Sequence, residues 1–329
     1  MILSVGRLLT LGIGLALLAW GPNQAAAQTK LVVATPHQIF LDTGLVIEVG
    51  KQKGFFKEVG LEIEPIVVRG GGENVQAVVS GSVHISLATG TFSVLSAFQK
   101  GAPVKILAAE MTGTPDLFWY SMANTPYRKL EDLAGKRIAF SNPGSSTHIG
   151  VLAAVDYLKG KGLAAPQPIS LGGPSDAFTA VKTGQADAGW SAIPLFMDLV
   201  EKGEVRIVFK GADLERLRDV TMRVTFANAS FVEKNPETVR AFFKAYQKAM
   251  DFIFENRQEA ARIWIPFAKL KLSEAALVNI IGFYDRANVA FKPVKGLPVL
   301  MEDAVKFNFL KQPLSQAELD RLIDLRFVP

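Results

Sequence analysis

The chain has 329 residues, no cysteine and only three histidines. Without thiols there is no disulfide framework, thiolate zinc centre, iron–sulfur cluster, cysteine nucleophile or lipidated cysteine behind an export signal. His37, His84 and His148 show neither i, i+4 pairing nor a carboxylate at the spacing of a known metal motif, so neither metal nor cofactor is expected. Basic residues outnumber acidic ones 36 to 31, a net charge of +5, yet no block of five or six occurs. No aromatic residues interleave with them, and nucleic acid is not an expected partner. The lysine of a phosphate-binding P-loop, the G-x-G-x-x-G dinucleotide fingerprint and the G-x-S-x-G nucleophile elbow are all absent.

What remains is an ordinary globular composition, 49% apolar, over a length suited to two domains. The first 27 residues read as a signal peptide. Arg7 supplies the positive end, Leu8 to Trp20 the apolar core, and Ala25-Ala26-Ala27 a cleavage site before Gln28. That apolar run is shorter than the roughly 20 residues a membrane span needs, although an uncleaved anchor is the alternative. No later stretch is long and apolar enough to insert stably in a membrane. A soluble, periplasmic protein is expected, with +4 remaining after Arg7 is removed.

Strands and helices alternate. Lys30–Thr35 is a strand; a helix over about Thr43–Lys53 is closed by Gly54. Leu61–Val68 is a second strand, Gly70 to Ser80 a helix, and Val83–Ala88 a third strand. The rhythm returns with a strand over Lys136–Phe140, a helix over Ile149–Lys159, a strand over Pro168–Leu171, a helix over Asp176–Thr183 and a strand over Ala186–Trp190. Ala77-Val78-x-x-Gly81-x-x-His84 aligns with Ala180-Val181-x-x-Gly184-x-x-Asp187, 103 positions later. A repeat of that length is a duplicated α/β lobe rather than a solenoid. Two connecting segments, Thr112 to Met122 and Val220 to Ala229, imply that chain returning from the second lobe completes the first. The predicted division is 28–111 with 223–329 for lobe 1 and 112–222 for lobe 2 with the hinge segments. The C-terminal part is helical. Asn235-Pro236-Glu237 starts a helix whose stripe is Val239, Phe242, Phe243, Tyr246, Met250 and Ile253.

Parallel α/β sheets bind ligands beyond the carboxyl ends of their strands, where loops enter helix N-termini. Five loops fit: Pro36-His37-Gln38, Gly70 to Asn74, Thr89-Gly90-Thr91, Ser141 to Thr147, and Gly172 to Asp176. Four carry neither Lys nor Arg, and Arg69 precedes the other. Helix N-termini hold anions through free N–H groups, and small hydroxyl residues add donors. Turns and caps use the same residues, so any single loop is ambiguous. Trp190 either stacks on a ligand or packs in the core; His84 reads as structural.

Several segments together resemble the solute-binding proteins of ABC importers for nitrate, sulfonates and taurine, a family that includes binders of thiamine precursors. The segments are Lys53–Leu61, Val79-Ser-Gly81 through Leu87, Lys100–Lys105, Leu130–Ile138, Pro143–Thr147 and Gly184–Asp187. The resemblance implies a two-lobed, class II periplasmic-binding-protein fold of two doubly wound α/β lobes joined by two hinge strands, with a helical C-terminal tail. It implies capture of a small, anionic ligand by a monomer, and partnership with a membrane permease and its ATPase. Carried over by position, the ligand contacts are His37, Gln38, Gly72, Glu73, Asn74, Thr89, Gly90, Thr91, Ser145, Ser146, Thr147, Trp190 and Ser191. Family members often carry Asp where this chain has His84. A thiamine-precursor pyrimidine is the alternative ligand. An enzyme of the family builds that pyrimidine with pyridoxal phosphate and a cysteine-rich motif, which a cysteine-free, exported chain does not match.

Overall fold

The structure is a computed structural model describing residues 28–68 and 71–329; the expected signal peptide and Arg69–Gly70 lie outside the described residues. Ten strands form two sheets of matching order. They are β1 (Thr29–Thr35), β2 (Leu61–Val67), β3 (Ile85–Gly90), β4 (Val104–Thr112), β5 (Leu117–Met122), β6 (Arg137–Phe140), β7 (Gln167–Ser170), β8 (Gly189–Ala192), β9 (Val205–Lys210) and β10 (Thr221–Asn228). The first sheet runs β2-β1-β3-β10-β4, with β10 antiparallel to both neighbours. In the second, β8-β5-β9 joins β6-β7 through the parallel bridge of Ile138 to Ala188, giving β7-β6-β8-β5-β9 with β5 antiparallel. The chain passes between the sheets twice, through residues 113–116 and 211–220.

Helices fill the crossovers, as parallel strands require. In the first unit these are α1 (Val46–Gln52), α2 (Phe55–Glu58), α3 (Gly71–Val79) and α4 (Thr91–Gln99), with a π-helical turn at Leu41–Leu45. The second has α5 (Ser146–Gly160), α6 (Pro174–Lys182) and α7 (Met197–Glu201). The C-terminal part adds α8 (Ala229–Lys234), α9 (Pro236–Glu255), α10 (Arg257–Ala268), α11 (Glu274–Phe283), α12 (Leu297–Lys306) and α13 (Gln316–Leu322). Every apolar residue expected on the α9 stripe is fully buried, against α1, α2 and α10. No helix among the described residues is long and apolar enough to cross a membrane.

Two strands lie later in the chain than their sequence suggests: β3 begins at Ile85 rather than Val83, and β8 at Gly189 rather than Ala186. In both, a left-handed glycine, Gly81 (φ +79) or Gly184 (φ +72), ends the preceding helix, and the turn runs on. The repeat then places one acceptor side chain in each unit. His84 Nδ1 accepts the Val32 N–H at 2.9 Å, and Asp187 Oδ2 accepts the Arg137 N–H at 2.9 Å. Imidazole and carboxylate thus hold the equivalent strands β1 and β6 in the same way. Accepting requires a neutral ring, and burial keeps the His84 pKa below its ordinary 6.5. Removing the acceptor in His84→Ala is expected to destabilise the protein by about 1–3 kcal/mol in urea unfolding. His84→Asp should recover most of that loss, and equal losses in both variants would contradict the equivalence.

Candidate functional site

One cavity of about 210 Å³ lies between the two sheets, at the carboxyl ends of the strands. From the first unit come Pro36, His37 and Phe40 after β1, Asn74 on α3, Ala88 to Gly90 at the end of β3, and Arg223 on β10. The second unit contributes Ser141, Asn142 and Ser145–Thr147 around the start of α5, Gly172–Asp176 at the start of α6, and Trp190 on β8. Ala88 holds φ +45 without being glycine, a conformation costing of order 1 kcal/mol that is concentrated at functional positions.

The hydroxyl cluster at α5 is built by capping. Ser145 Oγ accepts the His148 N–H at 3.1 Å, as a helix N-cap does. Thr147 Oγ1 accepts the Ser141 N–H at 2.9 Å and lies within hydrogen-bonding distance of the Ser141 and Ser145 hydroxyls. Ser146 Oγ accepts from Arg223 Nε at 3.1 Å, which leaves its own proton to donate. Asp176 accepts the Gly173 N–H and so caps α6. Asn74 is 2% exposed, lines the cavity, and its Oδ1 has no partner among the described residues. Trp190 is both things its sequence left open: nearly buried, its indole N–H on the Gly172 carbonyl at 3.2 Å, and part of the cavity wall.

The cavity does not collect every residue carried over by position. Gln38, Gly72 and Glu73 are exposed and outside its lining. Thr91 is buried with its hydroxyl donated to the Thr221 carbonyl, and Ser191 is buried with its hydroxyl on the Leu195 carbonyl. Both hydroxyls are spent on backbone carbonyls of the protein, outside the cavity lining. His84, just before β3, accepts from Val32 of β1 and is outside the cavity lining, while His148 stacks on Phe140 with ring centroids 3.9 Å apart. Among the described residues, no group of three or more His, Asp or Glu is placed to hold a metal.

Arg223 is the residue the loop pattern misses. It is 1% exposed and uses all three guanidinium nitrogens: Nη2 donates to both Asp116 oxygens at 2.9 and 2.7 Å, Nη1 to Asp42 at 3.3 Å, and Nε to Ser146. The Phe40 ring covers it at 4.7 Å. Its signal in the sequence is a lone charge inside the otherwise uncharged run Val220 to Ala229. Neighbouring Glu110 is fully buried, and burial raises its carboxyl pKa to about 8; burial likewise raises Asp42 to about 6. Tyr246 Oη contacts both Glu110 Oε1, at 2.7 Å, and the Asp42 carbonyl, but has one proton to give. A protonated Glu110 completes this chain by donating to Tyr246, whose proton then goes to the carbonyl. Arg223 is thus paired with the carboxyl groups of Asp42 and Asp116, and offers the cavity no uncompensated positive charge.

A folded-state acid pKa above the unfolded value favours folding below the unfolded pKa and loses that contribution as pH rises through the folded one. For Glu110 the window runs from 4.5 to about 8. Unfolding free energy is expected to fall across that window in the parent and to fall less in Glu110→Gln, which keeps a donor but cannot ionise. Parallel pH profiles for the two proteins would show Glu110 ionised in the folded state.

The model of the NMT1/THI5-like family matches residues 44–260. The taurine-binding periplasmic protein of Escherichia coli is 29% identical over 194 residues, which are 58% of this chain and 57% of that protein. A 4-amino-5-hydroxymethyl-2-methylpyrimidine phosphate synthase of Saccharomyces cerevisiae is 23% identical over 231 residues, covering 67% of this chain and 66% of the enzyme. The alkanesulfonate-binding protein of Xanthomonas axonopodis, solved with bound MOPS, superposes with a TM-score of 0.70 at 17% identity, over 91% of this chain and 98% of that one. The architecture of two α/β lobes around a cleft is thus that of periplasmic binding proteins, and the chain belongs to the NMT1/THI5-like family.

Proposed function

We propose that this chain is the extracytoplasmic solute-binding component of an ABC importer. In this reading residues 1–27 direct export to the periplasm, and the remainder acts as a monomer. Residues 28–111 with 223–329 move as one lobe and 112–222 as the other. A small anion of the sulfonate, taurine or nitrate type is held between them and handed to a membrane permease driven by its ATPase.

The observation that carries this reading is convergence. The N-termini of α4, α5 and α6, from both lobes, open on one cavity whose polar lining is mostly Ser, Thr, Asn and Gly, beside His37, Asp176, Arg223 and the rings of Phe40 and Trp190. Each helix end favours negative charge by about 0.3–1 kcal/mol, more when partly buried. The spare protons of the hydroxyls add charge-assisted hydrogen bonds. With Arg223 already matched by Asp42 and Asp116, the ligand's charge falls to these dipoles and hydroxyls. The contacts proposed are His37, Asn74, Thr89, Gly90, Ser145, Ser146, Thr147 and Trp190. Gln38, Gly72, Glu73, Thr91 and Ser191 shape the loops behind them.

A second reading has its own support. Phe40 and Trp190 give the cavity two aromatic walls, and the named activity of the yeast relative concerns a pyrimidine. Uptake of a thiamine-precursor pyrimidine uses the same cleft. Synthesis of one is not proposed, because this chain lacks any cysteine for the motif the resembling enzyme carries.

A thermal-shift screen of residues 28–329 separates these readings, using taurine, alkanesulfonates, nitrate, bicarbonate, aromatic acids and thiamine pyrimidines. A ligand at 100 times its Kd stabilises by about 2.7 kcal/mol, so a true one raises the melting temperature by several degrees. A shift with sulfonates or nitrate, with affinity falling about tenfold or more in Ser145→Ala/Ser146→Ala, is the expected result. A shift with pyrimidines alone would replace the anion reading with the second one.

A further inference from the structure

Gly90 ends β3 and caps α4, with φ −55 and ψ 130, a conformation open to any L-residue. Neither backbone freedom nor capping calls for glycine there, since Ser, Asn or Asp caps a helix at least as well. Space does. A Cβ at Gly90 would stand 2.6 Å from Ser145 Cα and 2.8 Å from its carbonyl carbon, and against the Gly144 carbonyl oxygen. All three atoms are backbone, so no side-chain end can swing aside. They belong to the β6–α5 loop, which is on the opposite wall of the cavity.

The same contact is tight from the other side. A Cβ at Gly144 would lie 3.1 Å from the Ser93 nitrogen and 3.2 Å from its Cα, and would meet the Ser93 hydroxyl. Ser93 Oγ donates to the Pro143 carbonyl at 3.4 Å. Nearby, Arg223 Nε reaches Ser146 at 3.1 Å, so a second link spans the two walls beside the first. Backbone therefore meets backbone across the cleft at Gly90 and Gly144–Ser145, on the rim of the cavity that both Gly90 and Ser145 line.

We propose that Gly90 is a positioning residue for cleft closure: its missing side chain lets the N-terminus of α4 seat on the β6–α5 loop, bringing the anion-holding groups of both lobes to one ligand. The inference deepens the solute-binding reading and rests on it for its purpose, but the contact itself needs no ligand to be tested. In Gly90→Ala the two walls must part by several tenths of an ångström or more before the methyl group fits, while each lobe keeps its own core.

The absence of native cysteine makes the test direct. Ser93→Cys/Pro143→Cys places one thiol on each wall, and dibromobimane, fluorescent when it joins two thiols, reports how often they meet. The parent pair is expected to cross-link within single molecules. Adding Gly90→Ala should slow that reaction by at least about tenfold, since overpacking a tight backbone contact is strongly disfavoured. The urea midpoint of Gly90→Ala without the cysteines should stay near that of the unaltered protein. A second pair, Ser93→Cys/Ser145→Cys, guards against a local effect at Pro143. Unchanged cross-linking rates in the Gly90→Ala background, no cross-link in either parent pair, or a large fall in urea midpoint would each overturn the proposal. A failed ligand screen with Gly90-dependent cross-linking would instead put the fault in the choice of ligand.

Discussion

The arrangement of the cleft depends on one buried guanidinium. Arg223 stands on β10, the strand by which the chain re-enters the first sheet, and Asp116 on the segment by which it left. Asp42, its other partner, sits in the π-helical turn after β1. Three segments far apart in sequence are thereby fixed to one planar group, which also touches Ser146 across the cleft. An ion pair so deep adds little net stability over well-packed apolar residues, because desolvation consumes most of its Coulombic gain. Stranding one member is different, leaving an uncompensated charge worth about 3–5 kcal/mol. The cluster therefore acts less as glue than as a constraint on geometry.

Its charge balance also shapes the ligand chemistry. A lone arginine in a cleft would dominate any anion's binding and would accept many anions alike. Here it is held by two carboxyl groups, Asp42 and Asp116, and burial raises the pKa of Glu110 behind them to about 8. In the proposed reading, recognition falls to directional groups, the N–H ends of helices and the hydroxyls of Ser145, Ser146 and Thr147, whose placement favours a ligand of defined shape. The same balance leaves room for an uncharged ring between Phe40 and Trp190, which is why ligand class and fold are separate questions in this molecule.

The fold was legible in the sequence because its information is local. Strand and helix periods, left-handed glycines and the repeat of Gly81–His84 as Gly184–Asp187 act within a few residues. They located six of the ten strands to within three residues, and the loops around the cavity as well. The repeat even carried a chemical equivalence: unlike side chains, His84 and Asp187, accept the same backbone donor in the two units. What stayed hidden was pairing. Arg223, Asp42, Asp116 and Glu110 each stand alone among uncharged neighbours, and nothing in a single sequence says that they meet. Position along a loop was likewise too coarse to tell Thr89, on the cavity wall, from Thr91, whose hydroxyl serves the Thr221 carbonyl.

Gly90 shows the same limit from the opposite direction. Read as a sequence, it is one more small residue in a binding loop. In the structure its dihedral angles are ordinary, and only the backbone of the opposite lobe explains the missing side chain. A closing protein needs such places. Lobes that met only through long side chains would close to variable depth, because those chains have many rotamers and lose entropy when fixed. Backbone against backbone has no such latitude. With Arg223 fixing the crossing segments and Gly90 seated on Gly144–Ser145, the helix ends of both lobes come to a defined separation. With Arg223, the one Lys or Arg among the described residues of the lining, already paired, anion binding depends on that separation, because helix-end dipoles act only over about the first turn.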